Sequence, residues 1–174
     1  KNIGIFYLKI KNFKENFNNF EYRREEISKN EYKNHPKKTK LWGGESLDKK
    51  ILLLYSEGGV GDMIHFARYI KDLKERYSVK IYLIVNKKIQ HLFKKLNNLF
   101  LHDTSIIPEY DYYSYVMSLT KIYYDKFSKI LSQNYEILSN NILCVDLQKK
   151  IEKLKFPKVG ICWHGNRDNK SDLH

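Results

Sequence analysis

Apolar positions in this chain change period along its length, and the changes mark out its elements. From Lys1 to Ser28 they fall at Ile3, Phe6, Leu8, Ile10, Phe13, Phe17, Phe20 and Tyr22, mostly three or four apart with charges between them. That spacing predicts amphipathic helix, in two short pieces broken near Lys11 and Asn12. Residues 29–40 are polar, basic and aperiodic around His35 and Pro36, and are read as a linker. The pattern then turns strand-like. Ile51–Tyr55 is a continuous apolar run bounded by turns, which predicts a strand covered on both faces, as in parallel sheets.

The run is followed at once by Ser56-Glu57-Gly58-Gly59-Val60-Gly61-Asp62 and then by a helical pattern through Ile64, Ala67, Arg68, Ile70, Leu73 and Tyr77. Strand, glycine turn and helix open a doubly wound fold. Val79–Val85 is expected to be a second strand, and Lys87–Asn97 a second helix with Ile89, Leu92, Phe93 and Leu96 on one face. Further expected elements are a short strand at Phe100–His102, a strand at Tyr110–Val116, and a helix around Ile122–Leu131 entered through Ser118–Thr120. Ile151–Leu154 would close another helix before Pro157, and Val159–Trp163 would be a late buried strand. The alternation of strand and helix predicts an α/β domain with a Rossmann-like parallel sheet.

Composition narrows the class. At 174 residues the chain has room for one ordinary domain plus an appendage, but not for most complete two-domain enzymes. No apolar run approaches the roughly 20 residues that span a bilayer, and Ile3–Leu8 is too short for a secretory signal, so no transmembrane segment and a cytoplasmic location are expected. Cys144 and Cys162 sit among apolar neighbours without metal-type spacing and are read as reduced thiols. The formal net charge of +12 would suit nucleic acid, but residues 1–50 carry only half of it, with 13 basic and 7 acidic residues. The 14 tyrosines form no interleaved base-stacking motif either, so nucleic acid is not the expected partner.

The candidate chemistry lies in the glycine turn. Glycines permit close approach of a ligand to the main chain, and amides at the start of a helix favour negative charge. Gly58, Gly59 and Gly61 do not keep the spacing of the dinucleotide fingerprint, and there is no P-loop lysine followed by Ser or Thr. An aspartate at that helix start would repel a phosphate. Asp62 therefore has two readings from its residues alone, a cap for a helix running from Met63 to Arg76 or a catalytic carboxylate.

Three separated segments carry a resemblance. Trp42-x-Gly-x-x-Leu47 with Lys50–Asp62 and Ile64–Tyr69, then Asp111–Leu119, then Lys158–Asn166, together resemble the glycosyltransferase region that follows tetratricopeptide repeats in bacterial proteins, a relative of the heptosyltransferases (glycosyltransferase family 9). The likeness covers roughly residues 41–172. Leu8, Lys11, Phe13, Glu15, Phe20 and Glu21 similarly resemble the last unit of a tetratricopeptide array, a plain amphipathic helix being the other reading.

The resemblance implies a tetratricopeptide-like tail over 1–28, a linker over 29–40, the acceptor-side domain of a GT-B fold over 41–157, and the first strand and loop of a truncated donor-binding domain over 158–174. It implies an inverting, metal-independent transfer from a nucleotide-sugar donor to a glycan, lipid-linked glycan or protein acceptor, with no cofactor beyond that donor. Asp62 would be the general base that takes the acceptor hydroxyl proton. Gly58, Gly59, Gly61 and His65 would meet the acceptor, and His164, Gly165 and Asn166 the donor. Both ends would then continue in a longer protein, and this piece would not turn over alone. The competing expectation is a non-catalytic protein- or glycan-binding module.

Overall fold

The computed structural model describes residues 12–24, 40–93, 96, 99–102, 109–131 and 145–161. Its contacts divide the chain into two compact units, residues 1–139 and 140–174.

The first unit is built on a five-stranded, all-parallel sheet. Its strands are β1 (Lys40–Leu41), β2 (Ile51–Tyr55), β3 (Lys80–Ile84), β4 (Leu99–His102) and β5 (Tyr112–Tyr115), in spatial order β1-β5-β2-β3-β4. Helix α1 (Phe13–Glu21) precedes the sheet, α2 (Val60–Arg76) links β2 to β3, a 3-10 segment (Lys87–Phe93) lies between β3 and β4, and α3 (Leu119–Phe127) follows β5. This is a Rossmann-like α/β arrangement. The chain steps from β2 outward to β3 and β4, then returns to the other side of β2 as β5, so the strand order reverses between β2 and β5. In open α/β sheets such a reversal leaves a crevice at the carboxyl ends of the strands, where ligands bind.

The apolar run of β2 is buried on both faces, as its sequence predicts. Leu52 and Leu54 join Ile81 and Leu83 of β3 and pack against Met63, Ala67, Ile70 and Leu73 of α2, with Leu119 and Tyr123 of α3 in the same cluster. The opposite face carries Leu53, Tyr55, Ile84 and Tyr115. Trp42 and Leu47, the apolar ends of the Trp42-x-Gly-x-x-Leu47 segment, are core residues of the first cluster, and Trp42 Nε1–H donates to the Glu45 carbonyl at 2.9 Å.

Asp111 stands at the amino edge of the sheet. Its Oδ2 accepts from the Ile51 amide at 2.8 Å and its Oδ1 from Lys50 Nζ at 3.0 Å, so it aligns β5 with β2. Ser118 and Leu119 close the same segment at the other end of β5, where Leu119 enters the core.

Several boundaries differ from expectation. Lys40, assigned to the linker, pairs with Tyr112 as part of β1, because a two-residue strand is too short to show a period. The second helix is a 3-10 segment, although Leu92, Phe93 and Leu96 are buried on the predicted face. Helix α2 starts at Val60 rather than Met63, which moves Gly61 and Asp62 inside its first turn. Helix α1 begins where the break was placed: Asn12 is its N-cap, with Oδ1 accepting from the Glu15 amide at 3.2 Å, while the first of the two expected helices lies outside the described residues. Residues 1–11 and most of the linker lie outside the described residues.

The second unit contains α4 (Val145–Glu152). The expected buried strand from Val159 is not formed over its described residues 159–161, where Val159 is 78% and Ile161 75% exposed. A buried strand needs neighbours on both sides, and among the described residues of this unit no strand lies beside it. Cys144, Cys162, Trp163 and the expected donor residues His164, Gly165 and Asn166 lie outside the described residues.

Candidate functional site

The glycine turn bridges the carboxyl end of β2 and the start of α2. Gly58 has φ +74°, a left-handed conformation that side chains rarely adopt. A Cβ there would also fall 2.6 Å from Asp62 Oδ2, so glycine is required twice over. Gly59 is the N-cap of α2 and Asp62 its third helical residue. Asp62 Oδ2 accepts the Gly59 N–H at 2.8 Å, which satisfies a donor at the helix start from inside the first turn. The cap reading of Asp62 therefore holds in a changed form: Asp62 is not the N-cap, yet its carboxylate does cap. The placement also suits the positive end of the α2 dipole, while Lys74 and Arg76 occupy the last turn.

Gly61 is exposed, and a Cβ on it would meet nothing within 4 Å. The packing of the domain itself thus gives no reason for glycine there.

His65 lies three residues on from Asp62, on the same face of α2. Its Nδ1 is 2.8 Å from Arg68 Nη2, and Arg68 Nε–H donates to the His65 carbonyl at 2.6 Å. Since a guanidinium only donates, Nδ1 accepts and the ring proton sits on Nε2. Burial lowers the His65 pKa and the Arg68 charge lowers it further, against a smaller upward pull from Asp62. Asp62, Gly58, Gly59, Gly61 and His65 are thereby gathered in and just after one exposed turn at the carboxyl end of the sheet.

Beside this turn lies a cluster that sequence reasoning missed. Arg23, just past α1, reaches the β2/β5 crevice, and every one of its guanidinium N–H groups finds an acceptor. Nε–H and Nη2–H donate to the two oxygens of Glu57 at 3.0 and 2.6 Å. The second Nη2–H donates to Ser118 Oγ at 2.8 Å, and Nη1 serves Glu21 Oε1 at 2.8 Å and the Phe20 carbonyl at 3.0 Å. Glu57 Oε1 also accepts the Met117 amide at 3.1 Å, and Ser118 Oγ–H donates to Glu21 Oε2 at 2.9 Å. The Glu57 side chain is 3% exposed. Burial pushes its pKa up, opposed by the Arg23 guanidinium and the Met117 amide, while the carboxylates around Arg23 outweigh its own burial and hold it charged. In the sequence Arg23 is an ordinary surface or ion-pair residue. The available signal was Glu57 itself, a carboxylate two residues past the end of a strand buried on both faces, which demands a charged partner.

A cleft of about 600 Å³ adjoins this cluster, between α1, the loop after β1, β5 and α3. Tyr22, Arg24, Trp42, Tyr113, Tyr115 and Lys121 are among its lining residues, and Glu21 and Ser118 belong both to it and to the Arg23 cluster. No residue of the glycine turn lines it.

Among the described residues no group of three or more His, Cys, Asp or Glu side chains is placed to hold a metal ion. No helix among them is long and apolar enough to cross a membrane.

What the fold and this site define is a Rossmann-like α/β domain that carries an exposed carboxylate on a glycine turn at the carboxyl end of its first long strand. The chain matches no protein-family model, no curated protein and no solved structure.

Proposed function

We propose that this chain is the acceptor-side half of an inverting, metal-independent glycosyltransferase of GT-B architecture, with Asp62 as general base. The observation that carries the reading is the position of Asp62: an exposed carboxylate in the first turn of α2, at the carboxyl end of a parallel sheet, reached over a backbone bare of side chains at Gly58, Gly59 and Gly61. A sugar hydroxyl is a weak nucleophile, and a carboxylate within hydrogen-bond reach removes its proton as it attacks the anomeric carbon of a nucleotide sugar. Oδ2 holds the Gly59 amide, and Oδ1 is the oxygen assigned the role of base.

At the strand-order reversal, where a doubly wound domain commonly binds a nucleotide, the buried Arg23–Glu57 pair joins the segments that follow β2 and β5. This supports assigning the nucleotide sugar to a second domain, with a glycan, lipid-linked glycan or protein acceptor on this one. The segment over 1–28, which contains α1, is assigned on the same resemblance to the end of a tetratricopeptide array.

The test is transfer by a protein extended through the second domain, comparing Asp62 with Asp62→Asn at matched folding. A loss of about a hundredfold or more with donor binding kept supports the base. Equal transfer by both proteins removes Asp62 from the mechanism.

One observation favours a second reading, a binding module without catalysis. The cleft beside α1 offers aromatic rings and hydrogen-bonding groups and does not include Asp62. No transfer by either extended protein, together with glycan or peptide binding by this chain, would favour that module.

A further inference from the structure

Between residues 57 and 59 the bonds that tie the glycine turn to the rest of the domain run through one side chain. Gly59 bonds to Asp62 through its amide and to Met63 through its carbonyl, both within the start of α2. Among the described residues only Glu57 reaches outward, to Arg23 beyond α1 and to the Met117 amide after β5. Glu57 is also the residue immediately before Gly58, whose left-handed backbone starts the turn. A guanidinium with all its donors engaged has a single orientation, because its planar fork matches the carboxylate at both oxygens. The fork is further held over the Phe20 ring, 4.1 Å from its centroid. Two carboxylates, Glu21 and Glu57, and two guanidinia, Arg23 and Arg24, balance within the cluster.

We infer that Arg23 is a positioning residue for the Asp62 turn: through Glu57 it sets where the turn leaves β2, which makes the helical segment a working part of the site rather than a tether. The inference rests on the reading of Asp62 as the functional carboxylate, but its first test does not need activity. A merely structural ion pair would change the stability of the whole unit. A positioning clamp changes the turn more than the sheet.

The experiment is amide hydrogen exchange on this chain, following the Gly59 amide, which reports the Asp62 contact, against the amides of β2. Arg23→Lys keeps the charge and removes the fork. Since a broken buried pair can unfold a domain, the double variant Arg23→Met/Glu57→Met, which leaves no buried charge unpaired, is the second protein. The expected result in both is Gly59 exchange faster by about tenfold or more, with the β2 amides changing by much less. Gly59 and β2 amides moving in step, or a Gly59 amide unchanged in the folded double variant, overturns the inference.

In the extended enzyme, Arg23→Lys is expected to lower kcat while leaving the donor KM unchanged, and to have no further effect in an Asp62→Asn background. An equal effect of Arg23→Lys with and without Asp62 overturns action through that carboxylate. Faster Gly59 exchange together with an inert Asp62→Asn comparison would leave the clamp standing and remove the catalytic reading, so the two failures are distinct.

Discussion

A Cβ built on Gly58 falls 2.6 Å from Asp62 Oδ2 and 3.1 Å from the Asp62 Cβ, so the Asp62 side chain packs into space that only glycine leaves open. The same aspartate oxygen caps the amide of Gly59. Turn shape and carboxylate position are therefore one property of the fold.

Gly58→Ala is accordingly expected to destabilise the first unit by about 2–3 kcal/mol, from the left-handed backbone and the displaced cap together. In the Gly58→Ala/Asp62→Ala double variant the penalty should fall short of the sum of the singles, since the clash has lost its partner. Urea unfolding of the four proteins measures both; strict additivity would contradict the packing described.

Gly61→Ala should act in the opposite direction. With open space around its Cβ and a helical backbone, alanine is expected to stabilise α2 by about 0.5–1 kcal/mol, seen as a small rise in Tm. If an acceptor approaches the main chain there, the same variant loses transfer in the extended protein. A more stable protein with full transfer would show that no ligand uses that gap.

His65 is expected to titrate below its ordinary value, followed by NMR of the ring protons. Burial is the larger cause and Arg68 the second, so Arg68→Gln should raise the pKa only part of the way back. For a base with a depressed folded pKa, the contribution to stability is complete above the unfolded value near 6.5 and is lost as pH falls through the folded one. His65→Gln should therefore flatten the stability profile just below neutral pH, and a histidine titrating above its ordinary value would contradict the Arg68 contact.

Asp111→Ala should weaken the β2–β5 pairing at the amino edge. The carboxylate is partly exposed, so a cost of about 1 kcal/mol is expected, with transfer by the extended protein unchanged at matched folding. The Ile51 amide holds the Asp111 pKa below its ordinary value, with Lys50 adding to the effect. Its contribution is thus present above the unfolded pKa and is lost as pH falls through the lower folded one. Acid unfolding of the two proteins should converge at low pH.

Local chemistry was legible without the structure. The unbroken apolar run at Ile51–Tyr55 needs cover on both faces, so a central parallel strand followed directly from it. The glycines after it, and the helical spacing of Ile64, Ala67, Ile70 and Leu73, placed a turn and helix there because backbone freedom and side-chain period are properties of short stretches. Where the ends fell was less legible. Lys40–Leu41 exists as a strand only because Tyr112 and Tyr113 lie alongside, and Val159–Ile161 had strand composition without a neighbouring strand among the described residues of its unit.

The sequence by itself determined the α/β class, the central strand and the carboxylate on a glycine turn, since each depends on residues close together in the chain. Only the tertiary structure decided that Arg23 meets Glu57 across 34 positions, that Ser118 and Glu21 complete the cluster, and that Arg23 joins the segments that follow β2 and β5. A lone arginine carries no mark of its partner. A buried ion pair is selected by the three-dimensional closing of distant elements, where each charge leaves water only because the other is already there.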